Sequence, residues 1–281
     1  MKISIIGSGW VGTAVGCGFM RLGHEVLFHD IVYKDNLPNY TASLAEAVTN
    51  SQLSFICVPT PTVDGKIDLR HVKDVVRKMG KALATLNRHH IVVLKSTVTP
   101  GTTESVVIPL LKRYAMHNNF DVVYNPEFLT QISNTWSQTD KRDFFSEDRV
   151  VIGAIDNIAS EEVALLYDEL KVPIVRTDIK TAEFIKYAAN CMLATKVSFW
   201  NELFLLATQL GVDMTAITRS CALDSRIGSY GTVYGRAFGG TCLPKDLKAF
   251  IAFAAPYRKL KLLQAVNDVN SEMADLFGVR E

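Results

Sequence analysis

The chain has 281 residues, 48% hydrophobic and 21% charged, and its 30 basic and 29 acidic side chains leave a net charge of +1. Such a chain buries ordinary cores, which excludes a disordered protein, and it carries no bulk field to recruit nucleic acid or an anionic membrane. The length suggests about two domains. Five cysteines in irregular spacing (Cys17, Cys57, Cys191, Cys221 and Cys242) point to a soluble, reducing, cytoplasmic setting with at least one thiol available for chemistry.

Met1–Ile6 opens like a signal peptide, with a cation before apolar residues. Glycines 7, 9 and 12 interrupt the run and no small-residue cleavage site follows, so a first β-strand explains these residues better. No stretch approaches the ~20 uninterrupted apolar residues of a membrane span. Further β-branched runs predict strands at Glu25–His29, Leu53–Val58, His90–Lys95, Asp121–Tyr124, Val150–Ile152 and Pro173–Val175. Helical stretches alternate with them, which predicts a parallel sheet covered on both faces. Thr99–Glu104 reads as a capped helix start with an early acid.

The pattern changes after Thr177. Thr181–Leu210 contains no Gly or Pro and predicts one helix of about 45 Å, with Gly211 as its C-cap. The rest reads as helix, broken by a glycine-rich loop from Gly228 to Gly240. The fold expected is α/β: a Rossmann-like doubly wound parallel sheet over residues 1–178, then an all-helical domain over 179–281 built on the long helix.

Gly7-Ser8-Gly9-Trp10-Val11-Gly12 follows the first strand and opens a helix. The first glycine permits the tight turn, the second lets backbone approach a pyrophosphate, and the third lets helix and strand pack closely. The helix N-terminus faces the phosphates. Asp30 closes the second strand, where a carboxylate accepts the adenosine ribose hydroxyls and repels a 2′-phosphate, favouring NAD over NADP. The alternatives are a turn that binds nothing, and a flavin.

Phe238-Gly239-Gly240-Thr241-Cys242-Leu243-Pro244-Lys245-Asp246 carries the most chemistry. Glycines such as Gly239 bring backbone close to a ligand, Lys245 favours the thiolate of Cys242, and Asp246 lies one helical turn beyond it. A buried structural cysteine is the competing reading. Within the long helix, Lys186 and Asn190 share a face that demands partners or a cleft, unless it is a solvent stripe. Loops at predicted strand ends (Val58–Thr62, Lys95–Pro100 and Asn125–Phe128) cluster where doubly wound folds bind ligands, and Glu127 there suits a general base or a water-ordering group.

These motifs together resemble the UDP-glucose/GDP-mannose dehydrogenase family. The resemblance runs through nearly the whole chain and rests on Gly7–Gly12, Lys95-Ser96-Thr97, Asn125–Leu129, Lys186–Asn190, Asp224–Gly228 and Phe238–Asp246. It implies a four-electron oxidation of a nucleotide sugar's CH2OH to a carboxylate, consuming two NAD, through a thiohemiacetal and a thioester on Cys242. It assigns Lys186 and Asn190 to the oxyanion, Asp246 to proton transfer, Thr97 and Glu127 to the hydrolytic water, and Thr62, Thr97 and Lys245 to the neighbourhood of NAD. Arg226 matches an arginine that reaches the substrate across a dimer interface, and the long helix matches the family's dimer core, so a homodimer is implied. No metal is implied.

Three departures stand out. Gln131 occupies the position of a second family glutamate, the stretch from Asp30 to Ala42 is short, and the chain stops at Glu281 before the third, nucleotide-gripping domain of the family. Lys34 is the candidate for the family's ribose-binding lysine. A substrate site using Glu127, Gln131, Lys186, Asn190, Arg226, Gly239 and, for the diphosphate, Tyr230, Tyr234 and Arg236 is expected. The competing functions are a single-step β-hydroxyacid dehydrogenase, which needs neither the cysteine nor a third domain, and a non-catalytic NAD-binding partner subunit. The chain as a fragment of a longer protein stays open.

Overall fold

The computed structural model describes residues 1–35, 37–116, 119–130 and 142–280. Two compact units emerge: one built from residues 1–61, 67–129 and 143–186, the other from 62–66, 130–142 and 187–281.

The first unit holds a seven-stranded sheet. Its strands are β1 (Lys2–Ile6), β2 (Glu25–His29), β3 (Leu53–Ile56), β6 (His90–Leu94), β7 (Phe120–Tyr124), β8 (Val150–Ala154) and β9 (Ile174–Thr177), in the order β2-β1-β3-β6-β7-β8-β9. The order reverses between β1 and β3, so the carboxyl ends of these strands form the switch point where such sheets take ligands. β3 and β6 are buried at every position because both sheet faces are covered. Ile91 and Val93 join the core under α1 (Trp10–Arg21) and α5 (Asn157–Leu165). Val92 and Leu94 join the opposite core under α2 (Leu44–Thr49), α3 (Arg70–Leu83) and α4 (Ile108–Ala115).

Two sequence expectations need correction here. The sheet is not wholly parallel, because β8 runs antiparallel to β7, through Val123↔Ala154 and Tyr124↔Gly153. An apolar run buried on both faces reads alike in either direction. The segment after Thr99 also differs, opening with a π-helical turn at Thr103–Val107. Its cap comes from far away in sequence. Glu183, fully buried, accepts hydrogen bonds from the Gly101 amide, the Thr103 amide (2.9 Å) and the Thr103 hydroxyl (2.6 Å).

At the amino ends of the central strands, Ser51, Ser4, Ser54 and His90 form a buried hydroxyl chain. It closes at 2.8 Å between Ser54 Oγ and His90 Nε2. Burial pulls the His90 pKa down from 6.5 to about 3, and Arg88 adds to the effect. The unfolded chain therefore takes up a proton as pH falls through 6.5, while the folded chain stays neutral. Stability is full above pH 6.5 and is expected to fall by about 1.4 kcal/mol per pH unit from there towards pH 3. Urea midpoints of His90→Gln, flat where the parent declines between pH 6.5 and 5, check this. An equal decline in both assigns the acid sensitivity to other groups.

The second unit contains a two-stranded ribbon, β4 (Thr62–Val63) and β5 (Lys66–Ile67). Asp64 and Gly65 turn it with φ of 50° and 74°, the pattern of a tight hairpin. Its helices are α7 (Met214–Ala222), α8 (Leu243–Ala254) and α9 (Lys261–Phe277). Asp213 caps α7 by accepting from the Thr215 and Ala216 amides. The long helix α6 (Ile179–Leu210) has 32 residues, about 48 Å at helical rise, and the division between the units falls within it. The α6 residues Tyr187, Cys191, Ala194 and Val197 pack with Phe238, Leu247 and Phe250 into the second unit's core. Among the described residues, no helix is long and apolar enough to cross a membrane.

Candidate active site

The glycine turn after β1 does what its spacing predicts. Gly7 has φ +96°, a conformation L side chains avoid, and its amide donates to the His29 carbonyl at 2.8 Å. A Cβ on Gly12 would stand 2.0 Å from the Gly7 carbonyl oxygen, so helix and turn touch backbone to backbone. A Cβ on Gly9 would meet nothing within 4 Å, which leaves the amide face open to a ligand. Beside it is a cavity of about 420 Å³ lined by Ser8, Gly9, Trp10, Thr13, Ala14, Lys34 and Leu37. Trp10 is 47% exposed, while Val11 is half-buried against the core below. Asp30 Oδ2 accepts from the Ser8 amide at 2.7 Å, and Oδ1 from the Val32 amide at 3.1 Å. The carboxylate is thus fixed at the end of β2 with lone pairs left over, as a ribose acceptor requires.

These residues fit a dinucleotide. Gly12→Ala is expected to abolish NAD binding and lower the melting temperature, because the added carbon must displace backbone. Gly9→Ala is expected to weaken NAD about tenfold or more with the melting temperature unchanged, because its Cβ fills ligand space only. Equal NAD titrations for Gly9→Ala and the parent would place the ligand elsewhere.

At the carboxyl ends of β3, β6 and β7 lies a buried polar cluster. Ser96 Oγ donates to the Val58 carbonyl at 2.7 Å, and Thr60 Oγ1 to the Thr97 carbonyl at 2.8 Å, so the loops bearing Thr97 and Thr60 are stitched together. Lys95 Nζ donates to Asn125 Oδ1 (2.9 Å), which also accepts from the Tyr167 hydroxyl (2.6 Å). Burial lowers the Lys95 pKa. Lys186 Nζ donates to the Glu127 carbonyl (2.7 Å) and carboxylate (2.9 Å), with side chains 3% and 7% exposed. Burial alone would raise the Glu127 pKa, but the charge and hydrogen bond of Lys186 and the Leu129 amide bring it below the ordinary value. Glu147 lies nearby with its pKa raised, chiefly by burial.

The second unit, by itself, holds further residues of the predicted set. Cys242 stands at the N-cap of α8, partly exposed, its Sγ 3.7 Å from Thr241 Oγ1. A helix N-terminus stabilises a thiolate. Asp246, 1% exposed, accepts from Asn190 Nδ2 at 2.6 Å through Oδ2 and from Lys245 Nζ through Oδ1. Lys245 therefore spends its charge on Asp246, and its carbonyl accepts from Thr62 Oγ1 at 3.2 Å. Arg226 is held by Asp224 at 2.6 Å with its own side chain 88% exposed. Tyr230 is half-buried, Tyr234 bonds Thr215 at 2.7 Å, Arg236 is exposed, and Gly239 packs on the Arg280 carbonyl. Gln131 lies outside the described residues.

Lys95 and Asn125 stand in motifs visible in the sequence but with no role legible there, and Glu183, Glu147 and Tyr167 lie outside those motifs. Glu183 did leave a signal: an acid three residues before Lys186 in an apolar helix, on the same face. Glu147 and Tyr167 left none, because only the sheet brings them to the cluster.

A doubly wound sheet with this glycine turn and acid, followed by helices that carry a cysteine on a helix N-terminus, defines a dinucleotide-dependent oxidoreductase. Residues 32–171 match the NAD-binding domain of the UDP-glucose/GDP-mannose dehydrogenase family, and residues 180–272 match its central domain. The chain belongs to the UDP-glucose/GDP-mannose dehydrogenase family, and NAD is its cofactor. It is 38% identical to the UDP-glucose 6-dehydrogenase AglM of Haloferax volcanii, across 100% of this chain and 73% of that one. Against the GDP-mannose 6-dehydrogenase of Azotobacter vinelandii the identity is 36%, across 89% and 63%. A UDP-glucose dehydrogenase structure from Pyrobaculum islandicum superimposes with a TM-score of 0.89 at 35% identity, covering 98% of this chain and 68% of that one. The chain thus spans roughly two thirds of the length of these relatives. A 3-hydroxyisobutyrate dehydrogenase from Mycobacterium tuberculosis, at 16% identity and TM-score 0.69, shares the fold alone.

Proposed function

We propose that the protein oxidises the primary alcohol of a nucleotide sugar, of the UDP-glucose or GDP-mannose type, to the carboxylate. The observation that carries this reading is Cys242 on the N-terminus of α8 with Asp246 buried one turn behind it, bound by Asn190 and Lys245. A single hydride transfer needs no such nucleophile; a four-electron oxidation does.

NAD, when bound at the Gly7–Gly12 turn, accepts one hydride from the substrate carbon in each of two rounds. In the first, the alcohol loses a hydride and its hydroxyl proton to give an aldehyde. The Cys242 thiolate adds to the aldehyde carbon, forming a C–S bond, and the alkoxide takes a proton to give a thiohemiacetal. The second round removes hydride and proton to leave a thioester. Water adds to that carbonyl, the C–S bond breaks, and the acid leaves while the thiolate is regenerated. The sum is RCH2OH + 2 NAD⁺ + H2O → RCOO⁻ + 2 NADH + 3 H⁺. Asn190 and Lys186 steady the reacting oxygen, Asp246 assists proton transfer, and Thr97 and Glu127 order the water.

The chain also forms a homodimer through α6 in this reading. Met192, Phe199 and Leu206 recur every seven residues along it and are 59%, 52% and 50% exposed, a stripe a second copy would cover.

The test is NADH formation at 340 nm with UDP-glucose and with GDP-mannose. Two NADH per sugar supports the reading and ranks the two substrates, whereas turnover of neither sinks it.

A further inference from the structure

The second unit contains a pair of arginines that the reaction above leaves unused. Helix α9 ends at Phe277, and Gly278, with φ +77°, turns the chain back. The returning strand pairs with the glycine loop: the Ala237 amide donates to the Gly278 carbonyl at 3.1 Å, and the Arg280 amide to the Ala237 carbonyl at 2.9 Å. Ala237 and Val279 form an isolated parallel β-bridge. Side chains alternate along extended backbone, so the flanking Arg236 and Arg280 both project on the other side.

Hydrogen bonds fix the backbone that carries Arg236 and one nitrogen of the Arg280 guanidinium. Asn201, fully buried on α6, donates to the Arg236 carbonyl and accepts from the Gly235 amide, both at 2.9 Å. Arg280 Nη2 donates to the Tyr234 carbonyl at 3.2 Å. Arg280 Nε is buried with no hydrogen-bond partner, and among the described residues no carboxylate forms an ion pair with either guanidinium. Burial, then the charge of Arg236, hold the Arg280 pKa below the usual arginine range. Two like charges and a buried donor without an acceptor are an unfavourable arrangement that an anion relieves. The guanidinium fork matches phosphate oxygens two at a time.

We infer that Arg236 and Arg280 form a phosphoryl-anion site that grips the diphosphate of the substrate. The inference rests on reading that substrate as a nucleotide sugar. Location supports it: the Arg280 carbonyl lies 2.3 Å from where a Gly239 Cβ would stand, and Gly239 precedes Cys242 by three residues. A diphosphate held at the bridge therefore lies along the same loop that presents the thiol.

Calorimetric titration of the 281-residue protein with UDP, GDP, inorganic pyrophosphate and the parent nucleosides tests it without turnover. Arg280→Gln and Arg236→Gln are each expected to weaken the diphosphates and pyrophosphate by about 10- to 100-fold, leaving the nucleosides unchanged. Arg280→Lys is expected to recover part of the loss, since it keeps charge but not the fork. Arg236 is exposed, so its variant leaves the fold undisturbed. Parent-like diphosphate binding by both glutamine variants overturns the proposal, and so does absence of pyrophosphate and diphosphate binding by the parent. A parent that yields no NADH, yet binds pyrophosphate in an Arg280-dependent way, sinks the dehydrogenase reading and leaves the anion site standing.

Discussion

Cys242→Ser is expected to lower steady-state NADH formation from a nucleotide sugar by about a thousandfold or more, and to cut the yield from two NADH per sugar to at most one. The size follows from what the thiolate does. Cys242 stands at the N-terminus of α8, and a sulfur nucleophile there adds to a carbonyl carbon far more readily than a serine hydroxyl in the same place. The first hydride transfer does not require a covalent bond, so the variant stops at the aldehyde stage. The buried Asp246–Asn190 pair lies beneath this step and is untouched by the substitution, so NAD and substrate binding are expected to persist. Stoichiometric yield in a single-turnover experiment is the decisive reading. Two NADH per sugar at a rate within tenfold of the parent would remove Cys242 from the chemistry and return it to the role of a structural thiol.

Much of this was legible in the residues because local physics leaves local marks. The Gly7–Gly12 turn and Asp30 are readable because backbone geometry demands glycine at one point and a ribose demands an acid at another. Strands β1 and β2 begin and end where their β-branched runs do, and α6 extends the predicted helix by only two residues, to Ile179. What was not legible comes from long range. The antiparallel β8 looks like a parallel strand from within. Glu183 reaches back some eighty residues to cap the Thr103 turn, so that turn carries no local cap of its own. Sequence set Lys245 near the thiol, and what it did not show is that the same ammonium reaches the adjacent Asp246 carboxylate. The Arg236–Arg280 pair was half visible: Arg236 stands in a glycine loop, but its partner arrives only because Gly278 turns the tail back along Ala237.

Lys186→Met is expected to destabilise the protein by about 3–5 kcal/mol, and Lys186→Met combined with Glu127→Gln to recover most of that loss while recovering no activity. Lys186 and Glu127 are 3% and 7% exposed and meet at 2.9 Å, so neither charge has water to fall back on. Removing the ammonium alone strands a carboxylate that burial already opposes, with the Leu129 amide and the charge of Lys95 left to support it among the described residues. Neutralising both members takes away the stranded charge, which is why stability returns. Catalysis follows a different rule. In the proposed mechanism the Lys186 ammonium steadies the reacting oxygen by its charge and its N–H donors, and neither methionine nor glutamine supplies that charge. Stability from urea unfolding and kcat from NADH formation, measured on all four members of the cycle, separate these two demands. If activity returned with stability in the double variant, the pair would be a structural clamp and nothing more. If the single variant were as stable as the parent, the ion pair would have to be wetter than its burial implies.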